Sequence, residues 1–551
     1  MKIGLSKFLE LKTKPMQSFS ETEHNRLQEE IKLLSHNLKE LNQIGVALSS
    51  EHDHDKLLEM ILQKSREIAS SDAGSLYLAE ESEEGGKVLR FKLAQNDSIQ
   101  AEAFKEFTVP IDRKSLAGFV AETGEILTLD DAYQIPNGKE YSFNSNFDER
   151  FGYRTKSLLV LPMQNNLSEI IGVLQLINRK KSKKTKLTPD SVEENVVPFD
   201  QKSIELVSSL ASQAAVCIEN NLLCKNIERL FEGFVTASVT AIEQRDTTTS
   251  GHSARVSIMT VGMAELVDRA DRGKFRDIKF TREQIKEIRY AAVLHDFGKV
   301  GVRENVLVKA KKLYPFEMEL IRSRFDFIKK SIENEFLSKK LEYLQFHQGE
   351  SCKEVFEQID FELAENLKEA ELCFQSIRQA NEPTIIPEGR FDEVLEIARK
   401  TYRDMEGAVS PYLFSNEIKN LLTRKGSLNE QERLEIESHV THTFNFLSKI
   451  PWTKTLKNVP SIAYAHHEKL NGEGYPLRLT SPSIPIQSKM MTVSDIFDAL
   501  TAFDRPYKKA ADFERALDIL KLEAKDNHLD GALVEMFIEG KIYNLMREYK
   551  G

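Results

Sequence analysis

From Phe199 to about Arg245 the chain contains no proline, and apolar residues recur at helical spacing through Leu206, Leu210, Ala214, Cys217 and Leu222. This stretch predicts one long helix joining a strand-rich first part to a remainder that is almost entirely helical in pattern. At roughly 150 residues per domain, the 551 residues allow three or four domain-sized pieces, each large enough to bury a core. Lysine plus arginine (76) against aspartate plus glutamate (86) leave a net charge of −10, with 40% hydrophobic and 29% charged residues. Such a composition excludes a disordered chain and a basic nucleic-acid binder. The most apolar stretches, 157–163 and 169–177, fall far short of the roughly 18 apolar residues that suggest a membrane span. The N-terminus lacks the sustained apolar core of a secretory signal, so a cytoplasmic location is expected. Cys217, Cys224, Cys352 and Cys373 form no CxxC pair, which rules out a disulfide framework or a zinc ribbon. Catalysis must use other residues.

In residues 20–49, Leu27, Ile31, Leu34, Leu38 and Leu41 form the stripe of an amphipathic helix that pairs with another helix. AGSLYLAE (73–80) and KVLRFKLA (87–94) alternate with period two around an acidic, glycine-containing turn and predict a hairpin. A helix over 115–122 and strands over 126–129, 157–163 and 169–178 follow. An antiparallel sheet flanked by helices accounts for 40–225. The loop 179–198, with RKKSKKTK, Pro189 and Pro198, predicts a mobile, solvated excursion. Cys217 and Cys224 read as buried structural thiols.

FDERFGYRTKSLLVLPM (147–163) followed by IIGVLQLIN (170–178) resembles the core of GAF domains, a small-molecule sensor fold, as found in phosphodiesterases. A cyclic-nucleotide-binding subset of that family carries an Asn-Lys, Phe, Asp-Glu signature. Here Asn178 is followed by Arg179, Phe199 is present, and Ser203 and Ile204 stand where the acidic pair is expected. The resemblance therefore implies the fold and an unidentified small-molecule ligand.

Three segments in the helical part carry chemistry. AAVLHDFGKVGV (291–302) sets His295 and Asp296 at the end of an apolar helical run, with Lys299 able to share a face with both. A neutral imidazole beside a carboxylate suits a hard or borderline divalent metal, and the lysine suits a phosphate oxygen. AYAHHEKLNGEGYPLRL (463–479) adds His466 and His467 before a glycine-rich reversal, with Tyr475, fixed by Pro476, placed to stack on or hydrogen-bond a nucleotide. SKMMTVSDIFDALTAFDRPYK (488–508) puts Asp495 in an apolar helix free of other charge until Asp498, and a buried carboxylate needs a cation or donors. Arg505 and Lys508 offer further phosphate donors. Taken singly, each has a plain structural alternative as a cap or an ion pair.

Together, in this order, the segments resemble the HD-GYP family of HD-superfamily phosphohydrolases over 230–310 and 420–530. The resemblance implies an all-helical domain that binds two or three metals, usually iron or manganese, and hydrolyses cyclic di-GMP. It implies that His252 (in TTTSGHSARV, 247–256), His295, Asp296 and Asp495 hold one metal. Asp296 would bridge to a second, held by His439, His466 and His467. Asp296 and Lys299 would be catalytic, and Lys299, Tyr475, Arg505 and Lys508 would hold the dinucleotide. Members with a third metal carry a glutamate where this chain has Thr248, so two metals are expected.

The usual family spacing would put the third histidine at Arg324, which cannot ligate. GSLNEQERLEIESHV (426–440) repeats Leu313, Glu317, Ile321 and Ser323 as Leu428, Glu432, Ile436 and Ser438, and sets His439 opposite Arg324. Residues 326–425 then read as an inserted helical bundle, regulatory or partner-binding, with His442 as the competing ligand. The expected architecture is an N-terminal helix (1–39), an α+β GAF domain (40–225) and an all-α HD-GYP domain (226–551) carrying that insertion. The function expected is a GAF-regulated, metal-dependent cyclic di-GMP phosphodiesterase, working as a homodimer through the stripe from Leu27 to Leu41. A non-hydrolysing receptor for the dinucleotide and a phosphohydrolase of another ester are the alternatives.

Overall fold

The computed structural model describes residues 21–51, 53–82, 85–99, 107–245, 250–347, 351–383, 388–502 and 511–548. Contacts divide the chain into two compact units, Met1–Leu230 and Phe231–Gly551.

The first unit is built on an antiparallel sheet. Its strands are β1 (Ser71–Glu81), β2 (Lys87–Asn96), β3 (Thr108–Pro110), β4 (Leu127–Leu129), β5 (Leu158–Gln164), β6 (Ile170–Lys180) and β7 (Val196–Val197). They run β3-β2-β1-β6-β5-β4, with β7 on β6. Period-two alternation sorts the side chains to two faces. Leu76, Leu78, Leu159, Leu161, Leu174 and Leu176 pack with the helix His54–Ala69 and the start of the long helix. Tyr77, Leu158, Val160 and Val173 pack with the helix Leu116–Thr123. Asp53 starts the helix His54–Ala69 by accepting the amides of Asp55 and Lys56. Ser70, at φ 55°, then reverses the chain into β1.

The amphipathic helix spans Glu21–Ser50. Leu41, Ile44 and Leu48 are buried in the unit's core, whereas Ile31 and Leu38 are 65% and 60% exposed. The side chains of Leu27 and Leu34 lie outside the described residues. The loop after β6 is packed rather than a loose excursion. β7 pairs with the end of β6, Leu187, Val192 and Val196 form a small cluster, and the buried Lys180 amine sits 3.2 Å from Asp72 and 2.8 Å from Asp97. Burying a charge requires such partners, and the sequence does not announce them. Cys217 is half-buried and Cys224 exposed, so the second is no core thiol.

The long helix spans Gln201–Glu243. In the second unit, the helices His252–Arg269, Arg282–Leu294, Glu430–Leu447, Val459–Tyr464 and Ile486–Thr501 carry most of the chemical segments. Two apolar clusters hold them, one around Met263, Met490, Val493 and Phe497, the other around Val256, Tyr290, Ile462 and Met491. The segment expected as an insertion, 326–425, holds the rest of the helix Pro315–Phe346 and the helices Lys353–Ala380, Glu388–Arg399 and Ser415–Leu421, and the core it shares with Leu313, Ile321 and Phe325 before it includes Ile328, Cys373 and Ile377. It is not wholly helical. Thr401–Arg403 and Val409–Pro411 pair as a short hairpin around a turn at Asp404 that ends in Gly407, at φ 81°. Arg324 is engaged inside this segment by Glu417, at 2.8 and 2.9 Å.

Candidate metal centre

His295 follows the last residue of the helix Arg282–Leu294, His439 lies within the helix Glu430–Leu447, and His466 follows the short helix Val459–Tyr464. Each directs its Nδ1 to the carbonyl three residues earlier, at 2.7 Å for Ala292, 2.6 Å for Ile436 and 2.6 Å for Ala463. A neutral ring that donates from Nδ1 presents Nε2 as a lone pair. All three Nε2 atoms are buried and without a hydrogen-bond partner. Natural proteins avoid orphaned buried polar atoms, and three converging on carboxylates leave a place for a cation.

The carboxylates are Asp296 and Asp495. Asp296 Oδ1 lies 3.2 Å from His439 Nε2, while its Oδ2 lies 3.5 Å from His295 Nε2 and 3.6 Å from His252 Nε2. Asp495 Oδ1 is 3.2 Å from His252 Nε2 and 3.8 Å from His295 Nε2, and its Oδ2 is 3.9 Å from His467 Nδ1. The ligating atoms gather in three sets that could each hold a metal ion: Asp296 with His439, His466 and His467; His252 with His295 and Asp296; and His295 with His466 and Asp495. Asp296 belongs to two of them, with Oδ1 toward His439 and Oδ2 toward His295 and His252.

Electrostatics agree with this donor set for three of its histidines. Burial pushes the imidazoles of His295 and His466 down and that of His467 down to about 4, which favours the neutral form a metal requires. His252 goes the other way, to about 9, because against the cost of burial Asp495 and Asp498 accept hydrogen bonds from its ring. Asp296 is held well below the usual carboxylate range despite burial, by Lys299, His295 and His439. Asp495 is lowered too, by the histidines around it. The Lys299 amine sits 2.9 Å from Asp296 Oδ2.

Tyr475 stands beside this cluster, its ring centroid 4.8 Å from that of His467. Burial and the charges of Asp495 and Asp296 raise its phenol, which keeps it protonated as a donor. The turn that brings it there needs glycine, since a Cβ at Gly474 would lie 2.3 Å from the Lys469 nitrogen. The structure thus gathers His252, His295, Asp296, Lys299, His439, His466, His467, Tyr475 and Asp495. His442 is exposed and lies beside Gly301, outside every ligating set among the described residues. Arg505, Lys508 and Thr248 lie outside the described residues.

Several positioning groups escaped the sequence reading. Thr443 donates to the His295 carbonyl at 2.9 Å and accepts the Gly298 amide at 2.8 Å. Thr492 donates to the His466 carbonyl at 2.6 Å, and buried Glu468 accepts the amides of Leu477 and Leu479 at 2.7 and 2.8 Å. Asp498 binds His252 Nδ1 at 2.7 Å. Only Asp498 left a signal, as a second carboxylate three residues after Asp495 in an apolar helix.

Residues 53–218 match the family model of the GAF domain, and residues 394–533 match that of the HD domain. The second match contains His439, His466, His467 and Asp495 and begins after His252, His295 and Asp296. Three relatives come from Vibrio cholerae serotype O1. One named 3'3'-cGAMP-specific phosphodiesterase 3 is 39% identical over 101 residues, 18% of this chain and 21% of that protein. One named 3'3'-cGAMP-specific phosphodiesterase 2 is 33% identical over 120 residues, 22% of each. One named cyclic di-GMP phosphodiesterase is 30% identical over 137 residues, 24% of this chain and 27% of that protein. The chain thus spans about a fifth to a quarter of the length of these three relatives.

Proposed function

We propose that this chain, which combines a GAF domain with an HD domain of HD-GYP type, is a metal-dependent phosphodiesterase of cyclic dinucleotides. The observation that carries the reading is the set of three orphaned Nε2 atoms beside Asp296, whose Oδ1 faces His439 while its Oδ2 faces His295 and His252. His252, His295, Asp296 and Asp495 would hold one divalent ion, and Asp296, His439, His466 and His467 a second, with iron or manganese as the expected metal. When bound, such ions lower the pKa of water to supply hydroxide near neutral pH and polarise phosphoryl oxygens. Lys299, aligned with Asp296, would donate to a phosphoryl oxygen as charge develops on it. Tyr475 would orient a base or sugar by stacking or by its hydroxyl, and Arg505 and Lys508 would bind the second phosphate.

Cyclic di-GMP is the first substrate on this reading. A second, 3'3'-cGAMP, is favoured by the two relatives named as specific for it. The test incubates metal-loaded protein with each dinucleotide and separates the products by chromatography. Turnover of either supports the enzyme; binding without turnover leaves a receptor; turnover of neither, without binding, overturns the reading.

The GAF domain would regulate the enzyme through its own small-molecule ligand, and the segment 326–425 would serve regulation or a partner. A homodimer is supported by an apolar row on the long helix, Leu223, Ile227 and Leu230, which are 51%, 65% and 74% exposed at spacings of four and three. Light scattering of the full chain tests it, and a monomer at micromolar concentration would refute it. Among the described residues no helix is long and apolar enough to cross a membrane; we place the protein in the cytoplasm.

A further inference from the structure

His295, His439 and His466 each lean on a carbonyl three residues back. His252 has no such carbonyl in its own helix, because it is the first residue of that helix, after Gly251 in the left-handed conformation at φ 67°. Its geometry is set from outside on two sides. Asp498 accepts its Nδ1 at 2.7 Å and is itself gripped by Arg255, at 2.6 and 3.0 Å. The backbone on either side is held by Glu243, whose Oε2 accepts the Gly251 amide at 2.8 Å and whose Oε1 accepts the Ser253 amide at 3.0 Å.

We infer that Glu243 is a positioning residue for His252, fixing how that imidazole meets a metal. This rests on the metal reading above. Glu243 is the last residue of the long helix. A carboxylate capping free amides at a helix start is favourable in charge as well as geometry. Two residues on, Arg245 donates to the carbonyls of Val300 at 2.8 Å and Val302 at 3.5 Å, at the end of the turn that follows Asp296. A cavity of about 10 Å³, room for one water, is lined by Glu243, His252, Asp296 and Lys299 among others. The end of the long helix therefore grips two of the ligand-bearing segments, and a shift of that helix reaches His252 through two hydrogen bonds.

The experiment uses the full chain, stripped of metal and titrated with manganese, with free ion followed by electron paramagnetic resonance. Wild type is compared with Glu243→Ala, Glu243→Gln and Glu232→Gln. Glu232 holds the same helix to Arg289 and Tyr290 without touching His252. Glu243→Ala is expected to weaken one metal equivalent by about 10-fold or more and leave the other unchanged, with kcat falling more than KM. Glu243→Gln should fall between, since its amide oxygen can accept only one of the two N–H groups, and it decides the matter if the alanine variant does not fold. Glu232→Gln should bind as wild type does. Wild-type affinity for both equivalents in the Glu243 variants overturns the inference, as does an equal loss in Glu232→Gln, which would mean general loosening of the helix. If wild type binds no manganese, the metal reading itself falls and takes this inference with it.

Discussion

His439 Nε2 lies 3.2 Å from Asp296 Oδ1 while His439 Nδ1 is already committed to the Ile436 carbonyl. With Nδ1 engaged, Nε2 is the atom left to meet a metal beside Asp296. His439→Ala is therefore expected to lose one metal equivalent and His442→Ala to keep both, measured by elemental analysis of protein purified under metal-replete conditions. Loss from the His442 variant alone would show that the histidine register is wrong.

Asp296 faces two groups of imidazoles, so Asp296→Ala should lose both ions and reduce turnover below a few per cent. Activity above that level in a metal-replete preparation contradicts the bridging role.

Thr443 is buried, and its hydroxyl both donates to His295 and accepts from Gly298. Thr443→Val keeps the shape and leaves a buried carbonyl and a buried amide without partners. A loss of about 1–3 kcal/mol in urea unfolding is expected, together with weaker metal binding. An unchanged midpoint would show that the pairing is dispensable.

Lys312 is fully buried with one long contact, 3.4 Å, to the Leu421 carbonyl, and burial pushes its amine down to about 8. Below pH 8 both folded and unfolded chains carry its proton, and the cost of burying the charge is present in full. Between pH 8 and about 10.5 the unfolded chain binds more protons, so this residue makes stability rise with pH. Lys312→Met should remove that slope and stabilise the protein at pH 7 by about 1–2 kcal/mol. Parallel urea melts of the two proteins at pH 7, 8 and 9 read the difference; parallel curves would show that the amine is not desolvated.

His252, His295, Asp296, His466 and His467 stand in short segments at helix ends, where a few neighbours decide local geometry, whereas Asp495 and His439 lie inside helices and are legible in the sequence through an isolated charge and a repeat. The repeat that selected His439 over Arg324 has a physical basis. Glu317 and Glu432 each reach back three residues to a backbone amide, that of Tyr314 and of Asn429, at the start of a helix. The two segments are alike because both begin helices, and His439 and Arg324 occupy the same place along them. Glu243, Thr443 and Asp498 escaped because each acts on a residue brought near only by folding. Strands β3 and β7 and the hairpin after Lys400 are two or three residues per strand, too short to display a period.

The segment between Leu313 and Leu428 has a consequence for biosynthesis. His295 and Asp296 leave the ribosome well before His439, and at roughly 5–20 residues per second the interval is on the order of ten seconds. During that time the intervening chain, which has a core of its own, can condense first. Nascent chains stalled before His439 would thus carry a folded insertion beside a half-built set of ligands, and cation capture becomes one of the last events in the maturation of the polypeptide.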